Sequence, residues 1–206
     1  DMLFHKARIE GLALAFKNYD LNPKINYSFL NGLGYASSTF YSDIFFIIPA
    51  LLSLIGFTTS QSYIAFIFLL TFATFYISYY SRVIIDPTSS TNRRNSIIFS
   101  IFYTLAANRL IDVYFHAAIG QTLAFVFYPL VLSGIYNIIY KDESKWYLLT
   151  IGMTCLLLSH VISTLLMVLL IASLVILNLK TLIKENKRFI SLFKATLTTI
   201  PLVIFY

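Results

Sequence analysis

Apolar residues recur along this chain in long unbroken stretches, not in alternation. They fall at roughly 40–57, 61–81, 95–107, 117–140, 146–159, 161–179 and 189–206. About 20 consecutive apolar residues reach across the hydrocarbon core of a bilayer, and 61–81, 117–140 and 161–179 meet that length. The stretches at 95–107 and 146–159 are short, which predicts helices that thin the bilayer locally or end in a polar cavity. Ahead of them, residues 1–17 interleave Leu3, Phe4, Ile9, Leu12, Leu14 and Phe16 with charge and predict an amphipathic interfacial helix. Residues 18–38 are polar and carry Asn18, Asp20, Asn22, Pro23, Asn26, Asn31, Gly32 and Gly34, a set that breaks regular structure and predicts a functional loop.

Composition agrees with a bilayer as the solvent. Of 206 residues, 58% are hydrophobic and only 12% charged, where a soluble domain carries about a quarter charged; mean hydropathy is +0.78. The expected fold is all-α, a polytopic transmembrane helical bundle. Residues 1–206 read as a single membrane domain, with 1–38 an external loop bearing the interfacial helix and 39–206 the bundle. The absence of Met at position 1 and the apolar run Thr199 to Tyr206 predict the N-terminal fragment of a larger protein. A transmembrane helix is expected before Asp1 and others after Tyr206. The net charge of +6 is not a nucleic-acid signal, because most Lys and Arg sit in short loops between apolar runs. The single Cys155 rules out a disulfide within the chain and reads as a packing residue.

Those basic loops orient the chain. Arg82, Arg93 and Arg94 bracket one, Lys141 and Lys145 the next, and Lys180, Lys184, Lys187 and Arg188 a third. With all three cytoplasmic, each pair is separated by two crossings, and 108–116 and 159–161 fall on the outer face. For 1–38 to share that face, segment 40–57, which carries Ser42, Asp43 and Pro49, is read as re-entrant or interfacial and not spanning; the alternative is that 95–107 does not cross.

Candidate chemistry gathers on the outer face. Asp1, His5 and Arg8 are spaced by four and three, so one stripe of a helix presents all three. Ionisable groups at a membrane boundary are a functional signal. Asp1 is the candidate general base. His5 and Arg8 fit an anionic group, Arg as a forked donor and His as a proton donor or acceptor near neutral pH. Asp112 and His116 are four apart, with Arg109 one turn earlier; Gln121 lies broadly on the face of His116, and His160 follows an apolar run. Gly34 permits close approach or positive φ. Tyr35, Phe40 and Tyr41 suit interfacial anchoring or stacking on a sugar. No His pair has the spacing of a helix-borne zinc site, so no cofactor is expected, with a divalent metal as the lesser alternative.

The order D-M-L-F-H-K-A-R-I, N-G-L-G-Y with F-Y-S-D, D-V-Y-F-H-A-A-I-G-Q-T-L-A with Y-P-L, and L-L-L-S-H-V-I-S-T resembles a bacterial multi-pass family, the 6-pyruvoyl-tetrahydropterin-synthase-related membrane domain. That family is similar to the GT-C superfamily of glycosyltransferases that use polyprenyl-phosphate sugars. Nothing in the chain matches the zinc site of a soluble pterin synthase. The resemblance implies a GT-C-like bundle in the bacterial plasma membrane, with a lipid-linked sugar donor, membrane lipids and a cell-envelope acceptor as partners. It matches Asp1 to the acid that opens the first external loop, Arg8 to a basic residue one or two turns later, Asp112 to an acid of a later external loop, and His160 to the His of an S-H-x-x-T-like stretch. The family pattern has Arg where this chain has His116 and Glu where it has Gln121, which marks this chain as altered or specialised there. The implied activity is sugar transfer on the outer face, with Asp1 as base and His5, Arg8, His116 and His160 binding the donor phosphate. The alternatives are a lipid or polysaccharide transporter, since intramembrane His and Asp serve proton relays equally well, and a non-catalytic assembly protein.

Overall fold

The computed structural model describes residues 1–204, apart from the side chain of Phe40. Its helices are α1 (Met2–Lys17), α2 (Ser37–Phe40), α3 (Ile47–Leu54), α4 (Thr59–Val83), α5 (Ser90–Thr104), α6 (Ala107–Ile111), α7 (Ile119–Tyr140), α8 (Trp146–Leu157), α9 (Val161–Leu177), α10 (Leu179–Lys184) and α11 (Asn186–Val203). Among the described residues, β pairing is limited to one isolated bridge, Asn26 to Tyr35. Among the described residues, three helical stretches are long and apolar enough to cross a membrane: Thr59–Val83, Ser90–His116 and Ile119–Tyr140.

Local chemistry sets the helix starts. Thr58 and Gln61 form a reciprocal cap at α4: the Gln61 N–H donates to Thr58 Oγ1 (3.2 Å) and the Thr58 N–H to Gln61 Oε1 (2.9 Å). The Ser89 hydroxyl accepts the Asn92 N–H (3.1 Å) and opens α5. The expected polar loop 108–116 is instead helical. After a break at Leu105 and Ala106, α6 and a π-helical turn over Asp112–His116 carry the helical path of α5 onward, and Ala117 (φ 51°) ends it. The predicted stretch 189–206 appears as α11, with Phe205 and Tyr206 outside the described residues.

Helix α7 is the axis of the bundle. Its most apolar stretch is 72% buried, against 33% for α4 and 28% for Ser90–His116. It packs on α8 at backbone contact. A Cβ on Gly134 would lie 2.4 Å from the Leu149 nitrogen, and one on Gly152 would lie 2.9 Å from the Val131 nitrogen. Small residues let helices approach this closely, and dispersion then holds them. Helix α5 meets α4 through Ser96 and Ser100, both fully buried. The outward sides of α9 and α5 leave Leu165, Leu169, Ile98 and Phe102 uncovered, as lipid-facing residues are.

The bundle has two unlike ends. At one, Lys145 Nζ donates to the Ile84 carbonyl (3.4 Å), and Arg188 Nη1 donates to the carbonyls of Ile138 (2.8 Å) and Lys141 (3.3 Å). These bonds gather the three basic loops together. At the other, the Asp1 backbone nitrogen donates to the His116 carbonyl (3.2 Å). Both Ser42 and Tyr63 border cavities that Asp1 also lines, so segment 40–57 begins and ends near Asp1. Its helix α3 has 8 residues, about 12 Å at 1.5 Å per residue, far short of a 30 Å hydrocarbon core.

In the full-length chain with Cys155→Ser, cysteines introduced by Thr39→Cys and Ser60→Cys are expected to react with an impermeant maleimide from the same side, and one introduced by Ser144→Cys from the opposite side. Labelling of positions 39 and 60 from different sides would mean that 40–57 spans.

Candidate functional site

A chamber of about 390 Å³ opens at the Asp1 end. Helix α1 supplies Asp1, Phe4, His5 and Arg8; the following loop and α3 approach supply Tyr35, Tyr41, Ser42 and Phe46. Gln121 enters from the first turn of α7, and Ser159 and His160 from the α8–α9 junction. Thus one chamber brings together Asp1, His5, Arg8, Tyr35, Gln121 and His160.

Helix α1 differs from an interfacial helix that shows its charges to water. It buries His5 and Arg8 along with Ile9, Leu12 and Ala13, and leaves Leu3 and Leu14 exposed. The reason is Asp43. Arg8 Nη2 donates to Asp43 Oδ1 (2.6 Å) and Nε to the same oxygen (3.1 Å), while Nη2 also reaches the carbonyls of Ser42 (2.8 Å) and Tyr41 (3.3 Å). The Ser38 hydroxyl donates to Asp43 Oδ2 (2.5 Å). The guanidinium also lies 3.9 Å from the Phe46 ring centroid, within cation–π range. Arg8 is 3% exposed and the Asp43 side chain 19%. A charge so deep persists only when paired and hydrogen-bonded. Sequence spacing did not single out Asp43, Ser38 or Phe46 as site residues. The available signal was an acid inside an apolar stretch, which demands a cationic partner.

His5 is held by rings. It stacks on Phe46 (5.6 Å, 24°) and meets Phe4 edge-on (5.3 Å, 71°). Its Nδ1 is buried without a hydrogen-bond partner among the described residues. Burial first, and the Arg8 guanidinium second, push its pKa down to about 3, so the ring is neutral at physiological pH.

His160 caps α9. The Ser163 N–H donates to His160 Nδ1 (3.3 Å), and the Ser163 hydroxyl lies 2.8 Å from the same nitrogen. An Nδ1 that accepts a backbone N–H carries no proton, which assigns the ring proton to Nε2. Burial lowers the His160 pKa, and the Asp112 carboxylate acts in the opposite direction. Among the described residues of the chamber wall, Asp1 is the one carboxylate. Its side chain does not cap α1.

Other expected site residues stand apart. Asp112 and His116 pair with each other (Oδ1 to Nδ1, 3.2 Å), with the His116 side chain 62% exposed beside the chamber. Arg109 does not reach the chamber. It is 1% exposed and braces the bundle, donating to the Thr104 carbonyl (3.0 Å) and the Thr71 hydroxyl (2.9 Å). Snorkelling to headgroups is closed to it because those acceptors lie inside. Gly34 sits at φ +88°, where a Cβ would come 2.6 Å from Ile25 Cγ2. Its turn lets Tyr35 and Asn26 exchange backbone hydrogen bonds (3.0 and 2.9 Å) and presents Tyr35 to the chamber.

A second cavity, about 500 Å³ and mostly apolar, lies beside the first and shares Asp1 with it. Its walls are Tyr63, Ile67 and Phe68 of α4 and Val113, Tyr114 and Phe115 of the π turn.

No family model matches the chain, and no solved structure does. An uncharacterized protein of Lactococcus lactis subsp. cremoris (strain MG1363) is 26% identical over 167 residues, covering 80% of this chain and 27% of that protein. The chain thus spans about a quarter of that relative's length.

Removing one partner of a buried ion pair costs about 3–5 kcal/mol. Asp43→Ala is expected at the lower end, because Asp43 keeps some solvent, and thermal unfolding of the full-length chain measures it. His5 gives a pH signature. Its folded pKa of about 3 lies below the ordinary 6.5, so the unfolded chain binds a proton that the folded chain refuses. Stability should fall as pH drops from 6.5 toward 3, by at most about 1.4 kcal/mol per pH unit. His5→Gln should remove this contribution, and unfolding of both forms between pH 7 and 4 checks it.

Proposed function

We propose that this chain forms the donor-site end of a GT-C-type glycosyltransferase in the bacterial plasma membrane, moving a sugar from a polyprenyl-phosphate donor to a cell-envelope acceptor on the outer face. One observation carries the reading: a polar, ring-lined chamber and an apolar groove meet at a single carboxylate, Asp1. An amphiphile with a polar head and a long hydrocarbon tail fits that pair, with its scissile bond beside Asp1. The donor reaches the groove sideways from the bilayer, which removes any need for a nucleotide-binding fold.

The chemistry follows from the groups present. Asp1 takes the proton of the acceptor hydroxyl, the acceptor oxygen attacks the anomeric carbon, and the bond from that carbon to the phosphate oxygen breaks. Polyprenyl phosphate leaves with the electron pair. Positive charge on the sugar and negative charge on the phosphate develop together, and preorganised groups near them lower the barrier. The phosphate lies at the rim beside Asp1, where His116 stands, while Arg8, its charge already offset by Asp43, holds the chamber wall. The ionisable groups of the chamber lie at one end of the bundle, whereas the basic side chains Lys145 and Arg188 bond helix ends at the other. That polarity favours an enzyme with one reaction face over a transporter with a path to both.

In the full-length protein with a lipid-linked donor, Asp1→Asn is expected to lower transfer by about 10²–10⁴-fold, the usual contribution of a general base, with insertion intact. Arg8→Lys should be intermediate, since charge survives but the fork on Asp43 does not. Normal transfer by Asp1→Asn would remove the carboxylate from the chemistry and move the transporter reading ahead.

A further inference from the structure

His5 is the ring most firmly built into the chamber wall, and its chemistry differs from that of an anion clamp. It is 6% exposed, and that remnant faces the chamber it lines. Neither ring nitrogen has a protein partner among the described residues, and Nδ1 is the sealed one. A sealed lone pair is tolerated better than a sealed N–H, so the proton belongs on Nε2, the nitrogen left open to the chamber. Phe46 and Phe4 fix the ring plane, so this donor has a set direction and no rotamer to search.

The surroundings say what it meets. Arg8 holds Asp43 and two carbonyls, and His160 points a second neutral imidazole inward. Tyr35, Tyr41, Phe4 and Phe46 present ring faces and edges around them. Neutral donors between aromatic faces match a ring of carbon and hydroxyl oxygen, not a phosphate, which needs uncompensated cations. Resting on the glycosyltransferase reading, we propose that His5 is a specificity residue that donates through Nε2 to an uncharged oxygen of the donor's sugar, and that the phosphate stays outside the chamber at the Asp1 rim.

The test is binding by the full-length chain in nanodiscs, with decaprenyl phosphate, decaprenyl-phosphate mannose and decaprenyl-phosphate glucose as probes. Wild type is expected to bind at least one sugar-bearing lipid more tightly than bare decaprenyl phosphate. His5→Phe keeps the stack and removes the donor. It should cut that sugar-dependent gain by about 2- to 10-fold, the worth of one neutral hydrogen bond, and leave the bare lipid unaffected. His5→Gln restores an N–H of similar reach and should keep most of the gain. If His5→Phe loses bare-lipid binding through misfolding, shown by early thermal unfolding, His5→Met takes its place as the donorless variant. A well-folded donorless variant that keeps the full sugar gain, or one that weakens both lipids equally, overturns the role of His5 while leaving the glycosyltransferase reading in place. A wild type indifferent to both sugars overturns the two together.

Discussion

The Arg8–Asp43 ion pair is the interaction on which the Asp1 end depends. Asp43 sits in an otherwise apolar stretch and Arg8 on the inward side of α1, and neither charge can be buried alone. Their pairing draws the 37–46 segment onto α1 and sets Tyr41, Ser42 and Phe46 into the chamber wall. Helix α3 follows directly, and its 8 residues fall short of a hydrocarbon core. The same pair cancels the strongest cation in the chamber. That leaves Asp1 as the carboxylate of the wall among the described residues.

The chamber joins two kinds of support. Gln121, Ser159 and His160 stand on the α7–α8 unit, where Gly134 and Gly152 bring backbones into contact and leave little room to move. His160 is further fixed by capping α9. Asp1, His5 and Arg8 stand on or at the start of α1, which packs on α3 and α4. The chamber is therefore a seam between a tightly packed wall and a wall held by one ion pair and a cluster of rings.

Much of the helical layout was legible in the sequence because bilayer-length apolar stretches have few other uses. The expected 61–81 and 117–140 correspond to Thr59–Val83 and Ile119–Tyr140, and the basic residues mark the helix ends that Lys145 and Arg188 tie together. Periodicity placed Asp1, His5 and Arg8 on one stripe but could not tell which way the stripe faces. That is decided by Asp43, 35 residues from Arg8, a separation no local pattern encodes. Arg109 failed to reach the site for a similar reason: its acceptor on Thr71 belongs to another helix. The helical path through 108–116 was hidden because polar residues there read as a loop, while their backbone groups are satisfied by a π turn.

The α4–α5 contact has a consequence for how this bundle ages in evolution. In the middle of α5, Ser96 and Ser100 return their hydroxyls to their own helix, bonding Asn92 and Ser96 carbonyls at 2.7 Å each. They ask nothing of α4 beyond being small. The alignment is instead marked near each end, by Asn92 of α5 on the Arg82 carbonyl of α4 (3.4 Å) and by Arg109 of the following α6 on Thr71 of α4. Drift among Ala, Ser and Gly along the middle leaves the register untouched, whereas a change at either end slides one helix along the other. Because α5 leads into the π turn, such a slide would carry Val113 to Phe115 with it and resize the apolar groove. A buried arginine remote from the chamber thus bears on the shape of the apolar groove, whose wall also includes its partner Thr71.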